Sequence, residues 1–132
     1  MIALDSNVVI RFLVEDDPAQ ADLARRLIES ALEHGERCYI SDPVLCELEW
    51  VLDSAYGASR RDVMTALQNI IGSPFFLFDD TASVKRALDR FFRGRADFSD
   101  YLLGTRAQER GAATTYTFDK ALRDEQGFTL LA

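Results

Sequence analysis

Cysteine is scarce in this chain of 132 residues, with only Cys38 and Cys46 present. Their spacing fits neither a zinc site nor a redox pair, so a disulfide framework is excluded and a reducing cytoplasmic setting is expected. Histidine is rarer still: the single His34 falls at the end of an expected helix, where the helix dipole accounts for it. The three prolines and seven glycines form no linker, repeat or low-complexity tract, so residues 1–132 are expected to form one domain. No apolar run approaches the ~20 residues of a membrane-spanning helix. The opening Met1-Ile2-Ala3-Leu4-Asp5 meets an acid without any preceding base, so no secretory signal is expected. What the chain does have is 48% apolar and 28% charged residues, the balance of a globular domain able to build a core without a disulfide or metal staple.

The net charge is −7, from 22 acids and 15 bases, which by itself counts against a nucleic-acid binder. Locally the balance reverses. Lys85, Arg86, Arg90, Arg93 and Arg95 fall close together, opposed only by Asp89. Arg86, Arg90 and Arg93 are spaced to share one helix face. They are candidates for holding substrate phosphates, or else form a solvated face paired with neighbouring acids. Phe91 and Phe92 in the same run read as core and docking residues.

Short apolar runs at residues 2–5, 38–40, 75–78, 113–118 and 128–131 read as strands. Between them lie helical patterns. The first, at 8–14, is capped by Asp5-Ser6-Asn7, and the second starts at Pro18 and runs to about 34. A third starts at Ser41-Asp42-Pro43 and ends near Gly57. Others span 59–72, 81 to about 92, and 99–111, with a short one at 119–124. No two strands are joined by a tight hairpin. That order predicts an α/β fold of three layers, with a mostly parallel sheet of about five short strands and helices on both faces. Sites in such folds lie beyond the carboxyl ends of the strands.

Acids gather at those ends. Asp5 follows the first strand and Asp119 the fourth, Asp97 and Asp100 start the helix before the fourth, and Glu47 lies early in the helix after the second. Each has an alternative reading. Asp5, Asp97 and Asp119 suit helix caps, and Asp100 suits a helix first turn. On a helical wheel Glu47 is flanked by apolar Val51 and Trp50, whereas Glu49 falls beside Asp53 on the side expected to be wetter. Carboxylates gathered on one rim repel, by about 4 kcal/mol for two unit charges ~4 Å apart at an effective dielectric near 20. Such a group needs a cation or raised pKa values. All-oxygen donors favour Mg²⁺ or Mn²⁺.

Four segments then fall into a known order: Ile2-Ala3-Leu4-Asp5-Ser6-Asn7-Val8-Val9-Ile10, Ser41-Asp42-Pro43-Val44-Leu45-Cys46-Glu47-Leu48, Ala96-Asp97-Phe98-Ser99-Asp100-Tyr101-Leu102-Leu103 and Thr115-Tyr116-Thr117-Phe118-Asp119. Along its whole length the chain resembles PIN-domain nucleases, and among them the VapC-type toxins of toxin–antitoxin pairs. The resemblance implies that Asp5, Glu47, Asp100 and Asp119 form an acidic quartet around Mg²⁺, with Asp97 a further ligand or supporting group. It implies that Ser6, Asn7 and Thr117 brace those acids by hydrogen bonds. It further implies endonucleolytic hydrolysis of RNA to 5′-phosphate and 3′-hydroxyl ends, by water that the metal activates, and a cognate antitoxin as partner. A homodimer or a toxin–antitoxin hetero-oligomer is the expected assembly. Nine Phe, four Tyr and Trp50 are ample for a core plus an apolar partner surface. The alternatives are a PIN nuclease without an antitoxin, a non-catalytic protein-binding module and a Mg²⁺-dependent phosphatase. The last class wants a second Asp two residues after the first, where this chain has Asn7.

Overall fold

The computed structural model describes all residues, Met1 to Ala132, and the chain divides into two compact units, Met1–Thr81 and Ala82–Ala132. The first contains β1 (Ile2–Ala3), α1 (Ser6–Leu13), α2 (Pro18–Glu33), β2 (Cys38–Tyr39), α3 (Asp42–Ser54), α4 (Arg60–Ile71) and β3 (Phe76–Leu77). Its strands form a parallel ladder in the order β1-β2-β3. Ile2 stands opposite Cys38, and Cys38 opposite Phe76. The ladder runs on through Leu4 N–H to the Tyr39 carbonyl (3.0 Å) and Ile40 N–H to the Leu77 carbonyl (2.9 Å).

Local chemistry starts the helices where the sequence says. The Asp17 carboxylate accepts from Gln20 N–H at 3.1 Å, with Pro18 at the first helical position of α2. Ser59 Oγ accepts from Asp62 N–H at 3.1 Å and opens α4. Helix α1 packs on α2 and α3, and α3 packs on α4. Leu4, Val9, Cys38, Ile40, Leu45, Leu48 and Leu67 are buried in this unit.

The second unit is built from α5 (Thr81–Arg93, starting at the last residue of the first), α6 (Phe98–Glu109), β4 (Thr115–Thr117), a 3₁₀ turn at Lys120–Leu122 and β5 (Phe128–Leu130). Strands β4 and β5 are parallel, with Tyr116 opposite Thr129. A ten-residue connection, 118–127, joins them, which is short for a parallel pair. It closes because Asp124 and Gly127 adopt left-handed backbone, at φ 64° and 83°. The core of this unit holds Val84, Phe91, Phe98, Tyr101 and Leu102. Arg90 is laid over the rings of Tyr101 and Phe128, 5.1 and 5.7 Å from their centroids. It also pairs with Glu125 at 3.7 Å and donates to the Gln126 carbonyl. Tyr101 Oη donates to Glu125 at 3.1 Å. A Cβ on Gly94 would overlap that hydroxyl, and one on Gly104 would overlap the Phe128 ring.

The α/β class, the five short strands and their parallel sense are as expected. The strands form two ladders, of three and two strands, where the sequence suggested one sheet. Each is only two or three rungs long, and an apolar run of that length does not reveal its hydrogen-bonding neighbour.

Candidate functional site

In the first unit the chain leaves β1 at Leu4 and turns into α1 at Asp5, whose carboxylate is the helix cap. Its Oδ1 accepts from Ser6 N–H at 2.8 Å and lies 3.5 Å from Ser6 Oγ. The buried Ser6 hydroxyl donates to Glu47 Oε1 at 2.7 Å, joining the start of α1 to α3 across 41 positions of sequence. Ser6 therefore braces both acids, and Asp5 Oδ2 and Glu47 Oε2 accept no protein hydrogen bond. A groove of about 400 Å³ begins at Ser6 and Glu47. Arg11, Asp16 and Tyr56 line its other part. Arg11 pairs with Asp16 at 2.9 Å, and Tyr56 Oη donates to the same carboxylate at 3.0 Å. Desolvation pushes Asp16 up, but the Tyr56 hydrogen bond and the Arg11 charge outweigh it and hold the carboxyl below its usual range.

In the second unit Asp97 is the cap residue of α6, and Asp100, one turn in, reaches back so that its Oδ2 accepts from Asp97 N–H at 3.1 Å. Partial burial raises the Asp100 carboxyl, the Asp97 amide opposes this, and the charges of Asp97 and Asp119 raise it further. Asp97 and Asp119 are thus each within electrostatic reach of Asp100. Asp119 follows β4 and caps the 3₁₀ turn, its Oδ1 accepting from Ala121 N–H at 2.9 Å. Thr117 Oγ1 accepts from Asp119 N–H at 3.0 Å, so Thr117 braces the backbone of Asp119 and not its carboxylate. Within neither unit do three or more His, Cys, Asp or Glu side chains converge closely enough to hold an ion.

Other expected residues fall differently. Asn7 is exposed on α1 and makes no side-chain hydrogen bond to Asp5 or Glu47; it lines the groove beside them and a second, apolar one of about 500 Å³ between α1 and α2. Glu49 is buried, only 7% exposed, while Glu47 is exposed. The wheel reading of these two is thereby corrected. The buried stripe of α3 is Leu45, Leu48, Glu49 and Leu52, because α4 as well as α1 covers this helix. Of the three arginines, Arg90 is held by Tyr101, Glu125, Gln126 and Phe128, as described. Arg86 donates to Ser83 Oγ at 3.2 Å and lies 3.9 Å from Glu109. Arg93 extends into solvent beside Asp89, 3.3 Å away.

Two features escaped the sequence reading. One is the Arg11–Asp16–Tyr56 group, whose Tyr56 lies 40 positions from Asp16, too far to be linked by spacing. The other is the open face of β4, where Tyr116 and Phe118 are 63% and 75% exposed. Their period-2 alternation with Thr115 and Thr117 was the available signal.

Two comparisons bear on these residues. The chain is similar to the VapC ribonuclease of Aquifex aeolicus (strain VF5), with 20% identity over 123 residues, covering 93% of this chain and 90% of that protein. The family pattern described as PIN domain matches residues 2–125, a span that takes in Asp5, Glu47, Asp97, Asp100 and Asp119. With nearly its whole length so matched, the chain belongs to the PIN domain family.

Proposed function

We propose that the protein is a Mg²⁺-dependent endoribonuclease, one nuclease domain over its full length, and the toxin of a toxin–antitoxin pair. One observation carries the reading. Each of Asp5, Glu47, Asp100 and Asp119 has one carboxylate oxygen held by a donor of the protein and the other left open. None of the four pairs with Lys or Arg, whereas Asp16, Asp22, Asp89, Glu109 and Glu125 each do. Oriented, uncompensated oxygen donors suit a hard divalent cation, Mg²⁺ or Mn²⁺. Likeness to a protein called a ribonuclease supports RNA as the substrate, and the resemblance of the four motifs to VapC-type toxins supports an antitoxin as the partner.

In this reading Asp5, Glu47, Asp100 and Asp119 supply the ligand oxygens, and Asp97 adds negative charge beside Asp100. Bound Mg²⁺ supplies Lewis acidity, making water nucleophilic near neutral pH and offsetting charge on the phosphodiester. Ser6 fixes which oxygen of Asp5 and of Glu47 points away from the protein. Thr117 and the Ala121 amide hold the turn that carries Asp119. Supporting hydrogen bonds of this kind orient ligands and are costly to remove.

The test is cleavage of total cellular RNA by purified protein with Mg²⁺, with Mn²⁺ and with excess chelator. Cleavage should require the metal, and Asp5→Asn should lower it by orders of magnitude while leaving the circular dichroism spectrum unchanged. Equal cleavage in chelator, or by Asp5→Asn, overturns the mechanism. Growth arrest on expression alone, relieved by a copurifying product of the neighbouring gene, is the expected outcome for the toxin; harmless expression without such a partner would leave a PIN nuclease with no antitoxin.

A further inference from the structure

The sheet face of the second unit is open. Exposure alternates along both of its strands and the residue after each: Tyr116 and Phe118 at one, and Thr129 and Leu131 at the other, are exposed, while Thr115, Thr117, Phe128 and Leu130 are partly covered. Phe118 and Tyr116 are two residues apart on extended backbone, about 6.6 Å along the strand. The backbone beneath them is held. Leu131 N–H donates to the Thr117 carbonyl at 2.8 Å, Asp119 N–H bonds Thr117 Oγ1, and the Thr114 and Thr129 hydroxyls bond each other at 2.8 Å. Two large rings standing in water on a fixed ladder are surface that the unit's own core does not use.

Cations follow directly in the chain. A polar groove of about 520 Å³ begins at Lys120, two residues after Phe118, and is lined also by Arg93, Arg95 and Arg123 and by two acids, Asp124 and Glu125, the second of which pairs with Arg90. Lys120 and Arg123 enter no ion pair. Residues 82–132 carry nine bases against seven acids, in a protein whose net charge is −7.

The geometry points to a single-stranded RNA platform: bases stack on Phe118 and Tyr116, and the adjoining phosphates enter the groove of Lys120, Arg123 and Arg93. This rests on the ribonuclease reading and adds to it the form of the substrate, because only unpaired bases offer a face to an aromatic ring. In this arrangement Phe118 and Tyr116 contact substrate bases directly. Phe118 lies immediately before Asp119 and Tyr116 three residues before it, so a strand stacked on them presents its backbone to the acid that follows. Charge decides for RNA over an apolar protein segment: Lys120 stands two residues after Phe118, and it and Arg123 enter no ion pair, so a phosphate backbone beside the rings would neutralise them.

The experiment measures binding of a fluorescently labelled single-stranded RNA, and of the same sequence as a duplex, to full-length protein in excess chelator, so that no cleavage is needed. Phe118→Leu keeps the apolar bulk and removes the aromatic face. It should weaken single-strand binding about tenfold, as loss of one stacked base implies, and leave the weaker duplex binding unchanged. Phe118→Trp should restore it. Lys120→Ala and Arg123→Ala should each lower the slope of log affinity against log salt by about 0.7. Equal binding of strand and duplex, or a Phe118→Leu protein that binds as wild type, overturns the platform. So does loss of a copurifying protein partner in Phe118→Leu with RNA affinity intact, which makes the face a protein dock. Binding that depends on Phe118 in a protein that cuts no RNA with Mg²⁺ would sink the nuclease reading and leave the platform standing.

Discussion

Residues 1–81 hold 15 acids and six bases, while residues 82–132 hold seven acids and nine bases. The first unit is thus strongly anionic and the second slightly cationic. They also treat their key acids differently. In the first, a buried serine hydroxyl ties Asp5 to Glu47; in the second, backbone amides hold Asp100 and Asp119. A net charge taken over the whole chain therefore misdescribes both parts. An acidic protein can carry a nucleic-acid surface when its negative charge is gathered elsewhere and partly committed to cation binding.

The contrast is open to breaking, and the largest effect belongs to the acids. Neutralising one from each unit, Glu47→Gln or Asp119→Asn, should each reduce RNA cleavage by orders of magnitude in a discontinuous gel assay. If only one of the two matters, the units do not share a single metal site. Ser6→Ala should cost roughly 10–100-fold in activity, the range for removing a group that orients a metal ligand. Its unfolding midpoint should move less than its rate. Retained activity would show that the serine bridge is packing alone.

Stability separates the units next. Tyr101→Ala should destabilise by about 3–5 kcal/mol, as for other buried aromatics, read from urea unfolding. Tyr101→Phe loses the hydroxyl's bonds to Glu125, to Ala96 N–H and to the Arg95 backbone and should cost about 1 kcal/mol. In the first unit, the depressed carboxyl of Asp16 adds stability that is fully present above its ordinary value of 3.8. That contribution disappears as pH falls through the lower folded-state value. Asp16→Asn should thus bring the unfolding midpoints of variant and wild type closer together in acid than at pH 7. Least of all, Arg26→Ala breaks an exposed helical pair with Asp22 and should shift stability by no more than about 0.5 kcal/mol.

The order of strands and helices was legible because local chemistry marks it. Ser41-Asp42-Pro43, Ser59 and Asp17-Pro18 open helices in the structure as they do on paper, and strands stand where short apolar runs stand. The link from Ser6 to Asp5 is similarly local. What resisted reading depends on partners remote in sequence. Glu49 is buried because α4 covers a side of α3 that a single-helix wheel leaves open. Arg90 looks like one of three equivalent bases until Tyr101, Glu125 and Phe128 close around it. Asn7 stands beside the acids without bonding them, since a resemblance in motif does not fix a side-chain rotamer.

The short connection between β4 and β5 bears on the timing of synthesis. Polypeptide is made from its amino end, and folding units form as they emerge. All residues of the Asp5–Ser6–Glu47 bridge have been made once α3 is complete at Ser54. The turn bearing Asp119 is different: its strand has only β5 as ladder partner, and the last rung needs Leu131. A ribosome that has passed the codon for Asp119 has therefore made every acid of the proposed quartet but not yet the strand that fixes the last one. The bridge in the first unit is thus complete long before the ladder that holds the Asp119 turn can close, so the two parts of the proposed quartet become fixed at different times.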